Sequence, residues 1–208
     1  MPSFRVERRT GRERALAVAG ALACLLLVGC APEQGDRAAS AAQPVTSSAQ
    51  PWREATYRVT CDGLVSGGLR AKLVNGAARV PVDVSQSPYY DYVDVLLEGT
   101  ATGDVDGDGK PDRVVLLRCS PQPSNGFVEE VHVFRSDGSE LGALPSPDTL
   151  PESTILAPLY VPTGLSVQKE EIVAGMKAYG PDDSHASGPS VPFTVRWRWN
   201  GTSFASVP

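Results

Sequence analysis

Residues 113–119, RVVLLRC, limit the folds open to this chain more than any other stretch. A continuous β-branched and aliphatic run of this length reads as a strand buried on both faces. The surrounding sequence is punctuated in the same way. ATYRVTC (55–61) alternates into Cys61. LRAKLVNGAARVPVD (69–83) places Asn75-Gly76 between two extended stretches, a strong type I′ hairpin signal. YVDVLLEGTATG (92–103) alternates, with Val93, Val95 and Leu97 on one face and Asp94, Leu96 and Glu98 on the other. FVEEVHVFRSDGSELGAL (127–144) holds a strand and an Asp137-Gly138 turn. GLSVQKEEIVAGMKAYG (164–180) allows a short helix, but the flanking Thr163-Gly164 and Tyr179-Gly180 and the polar loop after it favour strands. VPFTVRWRWNGTSFASV (191–207) ends the chain with an Asn200-Gly201 hairpin, placing Val195, Trp197 and Trp199 on one face and Thr194, Arg196 and Arg198 on the other. The expectation is a mainly β domain of about eight strands with little helix, an antiparallel β-sandwich or a barrel-like sheet.

GDVDGDGKPDR (103–113) crowds four aspartates into nine positions. Read as a calcium loop, Asp104, Asp106 and Asp108 stand at positions 1, 3 and 5, with Gly109 at 6. Lys110 at 7 offers its backbone carbonyl, and Asp112 stands at 9. Calcium takes six to eight oxygens, alternate residues of a tight curl aim carboxylates at one centre, and glycine permits the turn. Two departures separate the loop from an EF-hand. Position 12 is Val115 instead of glutamate, and Pro111 has no N–H for pairing with a second loop. The missing ligand is sought at Asp94, Glu98, Glu129 or Glu130. The bland alternative is an Asp/Gly-rich turn held by Asx hydrogen bonds. The loop resembles the DxDGDGxxD loops of FG-GAP and VCBS-type β-repeats, which implies calcium held between strands. A single copy builds no propeller, so the likeness extends to the loop alone.

The amino terminus is an address. A basic segment, MPSFRVERRTGRER, precedes a short apolar run, ALAVAGALACLLLVG, in the layout of an export signal. The run ends in Leu27-Val28-Gly29-Cys30, which resembles the bacterial lipobox. That resemblance implies a signal peptide over 1–29, lipid on Cys30, and anchorage to the outer face of the cell membrane. Residues 31–52 are rich in Ala, Ser, Gln and Pro and read as a disordered tether, leaving one β-rich domain from Arg53 to Pro208. The chain carries 19 basic and 24 acidic residues, and beyond Cys30 the balance is 14 to 22. So acidic a domain is a poor partner for nucleic acid. Of four cysteines, Cys24 lies in the signal and Cys30 at its end, so Cys61 and Cys119 are expected to form a disulfide in an oxidising compartment.

The lipobox, the tether, the Gly103–Cys119 core and the Trp197–Phe204 hairpin together resemble a group of exported lipoproteins of high-GC Gram-positive bacteria. The likeness implies a fold and a location but no activity. No G-x-S-x-G elbow, H-E-x-x-H pair or glycine-rich phosphate loop occurs in the sequence. His132 fits a structural role on a strand, and His185 sits in a polar loop. Trp197, Trp199 and Phe204 fit a core face better than a sugar-stacking platform. The functional expectation is a non-catalytic, lipid-anchored envelope module with structural calcium that meets cell-wall glycan or another exported protein. The alternatives are a carboxylate-dependent hydrolase of an envelope polymer and a small-ligand-binding lipoprotein. Replacing Cys30→Ala is predicted to move the protein from the membrane fraction to the soluble fraction; unchanged partition contradicts the lipobox reading.

Overall fold

The computed structural model describes residues 51–65, 67–85, 89–154 and 156–207. The expected signal peptide, Cys30 and the tether up to residue 50 lie outside the described residues. Eleven strands follow in order. They are β1 (Thr56–Val59), β2 (Leu69–Lys72), β3 (Ala77–Pro81), β4 (Tyr92–Gly103), β5 (Asp112–Gln122), β6 (Val128–Phe134), β7 (Glu140–Ala143), β8 (Leu159–Gln168), β9 (Glu171–Ala178), β10 (Val191–Trp199) and β11 (Phe204–Val207). Only the two 3-10 turns Pro51–Arg53 and Pro147–Thr149 are helical among the described residues. The mainly β expectation holds. The count exceeds about eight, and β1, β2, β7 and β11 are only four residues each.

The strands form three antiparallel sheets, ordered β3-β4-β5-β6-β7, β11-β10-β9-β8 and β1-β2. The five-stranded sheet is shared by two cores. On one face Val114, Leu116, Val131 and Val133 pack against Ile172, Met176, Trp197 and Phe204 of the four-stranded sheet. On the other face Val115, Leu117, Val93 and Val95 pack beneath Tyr57, Val59, Leu69 and Ala71 of β1 and β2. The result is a sandwich with an added two-stranded layer, not a closed barrel. β5 lies at the centre of its sheet, and Val114, Val115, Leu116 and Leu117 are all fully buried. Trp197 is fully buried, and Val195 and Trp199 pack on the same core. The aromatic stripe is therefore a core face. Arg196 and Arg198 project the other way and both bind Glu171.

One local expectation is corrected, the long hairpin at Asn75-Gly76, while Val93, Val95 and Leu97 share one face as expected. Asn75 and Gly76 adopt the left-handed conformation of a type I′ turn, with φ of 54° and 86°. Yet only Val74 and Ala77 bridge across it, after which β2 pairs with β1 and β3 with β4. The turn directs two strands into different sheets instead of closing a long hairpin. In β4 the register shifts between Leu97 and Gly99, so Ala101 faces the first core while Val93 and Val95 face the second. A bulge inserts one residue and inverts the alternation after it. Pro51 and Trp52 lie in a 3-10 turn, Trp52 packs on the second core, and Arg113 stacks 4.8 Å from its ring.

Cys61 and Cys119 form the expected disulfide, with Cα atoms 5.5 Å apart. Closing a loop of this length removes unfolded-chain entropy worth about 4 kcal/mol. The end of β4 meets β8 closely, because a β-carbon on Gly103 would stand 2.7 Å from Val167 Cβ. Gly103→Ala is predicted to overpack this contact by about 1–3 kcal/mol, read as a fall in the urea midpoint with unchanged slope. Wild-type stability in that variant would show that β8 does not hold the base of the loop.

Candidate metal centre

The chain between β4 and β5 is the aspartate loop, closed at its base by the Gly103–Asp112 pair. It curls because Gly107 and Gly109 both take φ of 80°, a conformation that disfavours side chains. Asp104 sits inside the curl, its Oδ1 accepting from Gly107 N–H at 2.8 Å and its Oδ2 from Gly109 N–H at 2.9 Å. Asp106 Oδ1 accepts from Asp108 N–H and Asp108 Oδ1 from Lys110 N–H, both Asx turns. The curl brings Asp104, Asp106 and Asp108 together, with one oxygen of each within 4.8 Å of the others. These three aspartates are a group able to hold a metal ion.

The other expected ligands fare differently. Asp112 does not join the group. It is 1% exposed, and its Oδ2 accepts from Val105 N–H at 2.8 Å and Asp106 N–H at 3.3 Å. Burial pushes its carboxyl up, against those two backbone bonds. Asp112 therefore braces the loop from beneath. The Lys110 ammonium lies 3.5 Å from Asp108 Oδ2, a surface pair. Arg135 of the β6–β7 turn donates from Nε to Asp106 Oδ2 at 3.0 Å and relieves part of the repulsion. Two carboxylates at such spacing repel by about 1 kcal/mol in bulk water and several times more near protein.

None of the four residues sought as the missing ligand lies at the loop. Glu129 pairs with Arg118, six residues along β5 from Asp112, or about 20 Å at strand rise. Asp94 pairs with Arg79, and Glu98 Oε1 lies 3.0 Å from Arg118 Nε. Glu130 binds the segment after β1. The carboxylate that does approach comes from the other sheet. A β-carbon on Gly107 would stand 3.9 Å from Glu170 Cδ and Oε1. Glu170 and Lys169 form the β8–β9 turn with φ of 63° and 53°, strained for residues with side chains. No sequence signal pointed to this turn, since neither residue is glycine or asparagine.

A second charged cluster lies on the face of β6 that meets β1. Glu130 accepts from Thr60 N–H at 3.1 Å, from the Thr60 hydroxyl, and from Asp62 N–H at 2.6 Å. His132 is 4% exposed, with Nε2 3.0 Å from Glu130 Oε2 and Nδ1 2.8 Å from Glu140 Oε1. Burial alone would lower the imidazole, but its bonds to Glu130 and Glu140 carry it above the usual histidine value. Burial would raise Glu130, but His132, Thr60 and Asp62 hold it low. The cluster pins Cys61 and Asp62, both left-handed at φ of 51° and 52°.

These shifts set a pH dependence. His132 has a raised folded pKa, so its contribution is complete below its unfolded value and is lost as pH rises through the folded one. Glu130 has a lowered folded pKa, so its contribution is present above its unfolded value and is lost as pH falls through the folded one. Stability from this cluster is therefore greatest in mildly acidic solution. His132→Gln is predicted to lose about 2 kcal/mol at pH 6 and less above pH 8. Urea unfolding across pH 5–9 checks this, and a variant deficit independent of pH would contradict an ionised His132.

Comparison with known protein families, with curated proteins and with solved structures gives no match to this chain.

Proposed function

We propose that this is a non-catalytic module of the bacterial cell envelope, held to the outer face of the membrane by lipid on Cys30, whose aspartate loop binds calcium for structure. The convergence of Asp104, Asp106 and Asp108 carries the reading. Those side chains are hard oxygen donors, which suit calcium or magnesium over zinc or copper. Both oxygens of Asp104 already accept backbone N–H groups, and each retains a lone pair for a cation. Lys110 would add its carbonyl, Asp112 would brace the turn, and Glu170 would supply the oxygen absent at Val115. A wide, flexible set of this kind favours calcium, because magnesium demands a tighter octahedron. Affinity in the extracellular range, about 10⁻⁴–10⁻³ M, is sufficient for an exported protein.

The ion would neutralise a loop that joins the two central strands, so its effect is on stability. The lipobox motif and tether supply the address, and the acidic surface fits glycan or another exported protein better than nucleic acid.

At calcium ten times its dissociation constant, the expected gain is about 1.4 kcal/mol. Thermal unfolding in EDTA and in millimolar calcium measures it. Asp104→Ala and Asp108→Ala are predicted to abolish the shift, and Glu170→Gln to reduce it. A parent midpoint indifferent to calcium would make the loop an ordinary Asx-bonded turn.

A further inference from the structure

At the other end of β6, β7 stops covering the strand. β7 pairs only with His132–Phe134, and the last bond runs from Leu144 N–H to Val131 O at 2.9 Å before the chain turns away. The gap is a cavity of about 110 Å³. Exposed Thr60 and Ala143 stand at its mouth, while Glu129 and Tyr160, each 6% exposed, line its depth. The lining also includes Asp62, Glu130 and His132. Its Glu129 end lies about 20 Å along β5 from the aspartate loop and its His132 end about 10 Å.

The lining groups differ in how far they are satisfied. Glu130 and His132 are occupied by each other, by Glu140 and by the Thr60–Asp62 backbone. Asp62 Oδ2 accepts from Ser146 Oγ at 2.8 Å, leaving Oδ1 open. Glu129 Oε2 accepts from Tyr160 N–H at 2.8 Å, and its carboxyl meets that of Glu98. The Tyr160 hydroxyl has no hydrogen-bond partner among the described residues, and the charges bearing on it are Glu129 and Asp62. Tyr160 is buried as a residue, but its hydroxyl is not sealed off and opens onto the accessible surface of the cavity. There it is open to a partner that enters from solvent.

The carboxyl-rich wall excludes anions. A bare metal ion is also a poor fit, because among the described residues only Asp104, Asp106 and Asp108 converge on a point. Acceptors spread around a larger space call for a small cation with several N–H donors. A primary ammonium presents three, without the fixed plane of a guanidinium. The volume is of the order that admits a few heavy atoms, since a cavity of about 150 Å³ accepts benzene.

We propose that this cavity binds a primary ammonium group of an organic amine, entering past Thr60 and Ala143, with Asp62, Glu129 and the Tyr160 hydroxyl as its acceptors. Burial and the neighbouring Glu98, against the Tyr160 N–H and the Arg118 guanidinium, keep the Glu129 carboxyl protonated well above the ordinary carboxylate range. Entry of the cation reverses that balance. The Glu129 O–H breaks, its proton leaves to solvent, and the carboxylate accepts an ammonium N–H. The ammonium keeps all its protons, and no covalent bond to the ligand forms.

The purified protein is titrated near neutral pH with methylammonium, tetramethylammonium and sodium chlorides at matched ionic strength, with and without EDTA, following heat and proton release. Saturable binding of methylammonium alone is expected, with release of about one proton per chain, and EDTA should not alter it. Tyr160→Phe, which keeps the ring in the core, should weaken binding at least several-fold without shifting the thermal midpoint by more than a few degrees. Glu129→Gln should bind, if at all, without releasing a proton. Absence of saturable binding, equal binding of tetramethylammonium, or parental affinity in Tyr160→Phe would overturn the proposal. Loss of binding in EDTA alone would assign the effect to the aspartate loop and overturn it too.

Discussion

β5 has no solvent face along its central residues, and the rest of the molecule is arranged around that constraint. Val114 and Leu116 belong to one core, Val115 and Leu117 to the other. A strand of this kind needs a full layer on each side, or its aliphatic side chains meet water at roughly 1.5–3 kcal/mol each. The four-stranded sheet supplies one layer, and the short β1–β2 sheet supplies the other. The ends of β5 are fastened by different chemistry. Asp112 at the start holds the loop through backbone hydrogen bonds, and Cys119 near the end holds the second layer covalently.

The acidic composition is handled by pairing at close quarters. Glu171 takes two arginines, Asp94 takes Arg79, and Asp106 takes Arg135. His132 stands between two glutamates. Except in the exposed Asp94–Arg79 pair, a carboxylate that burial would penalise is given a donor on a neighbouring strand or turn, which is the condition for keeping such groups out of water. Glu129 is the departure. Its carboxyl shares its surroundings with Glu98 and retains a proton instead of gaining a full countercharge.

Legibility in the sequence followed the range of each interaction. RVVLLRC announced the central strand because burial on both faces erases alternation within seven consecutive residues. The grouping of Asp104, Asp106 and Asp108 was legible because their spacing is local. The disulfide was legible by the count of cysteines. What the sequence hid came from other sheets or from register. Glu140 reaches His132 across a register shift between β6 and β7. Glu170 reaches the loop from the opposite layer, on a turn whose residues lack the usual Asn-Gly signature. The Asn75-Gly76 turn was visible, yet its strands part because Leu69 and Ala71 bury against the second core beside β1. The bulge at Leu97–Gly99 left no alternation to read past Glu98.

The bond between Cys61 and Cys119 also determines how the fold carries a load. Tension applied ahead of β1 could unzip only the few residues up to Cys61. From there the pull passes covalently into Cys119, in the most deeply packed strand, and bypasses the 58-residue separation between them. About 200 Å of extended chain is thereby withheld from stretching. Force then falls on the interior of the five-stranded sheet, across its hydrogen-bonded ladder, instead of peeling the outer layer. Under a pull ahead of β1, this arrangement makes the thin β1–β2 layer a mechanical coupling to the core rather than the first part to be stripped away.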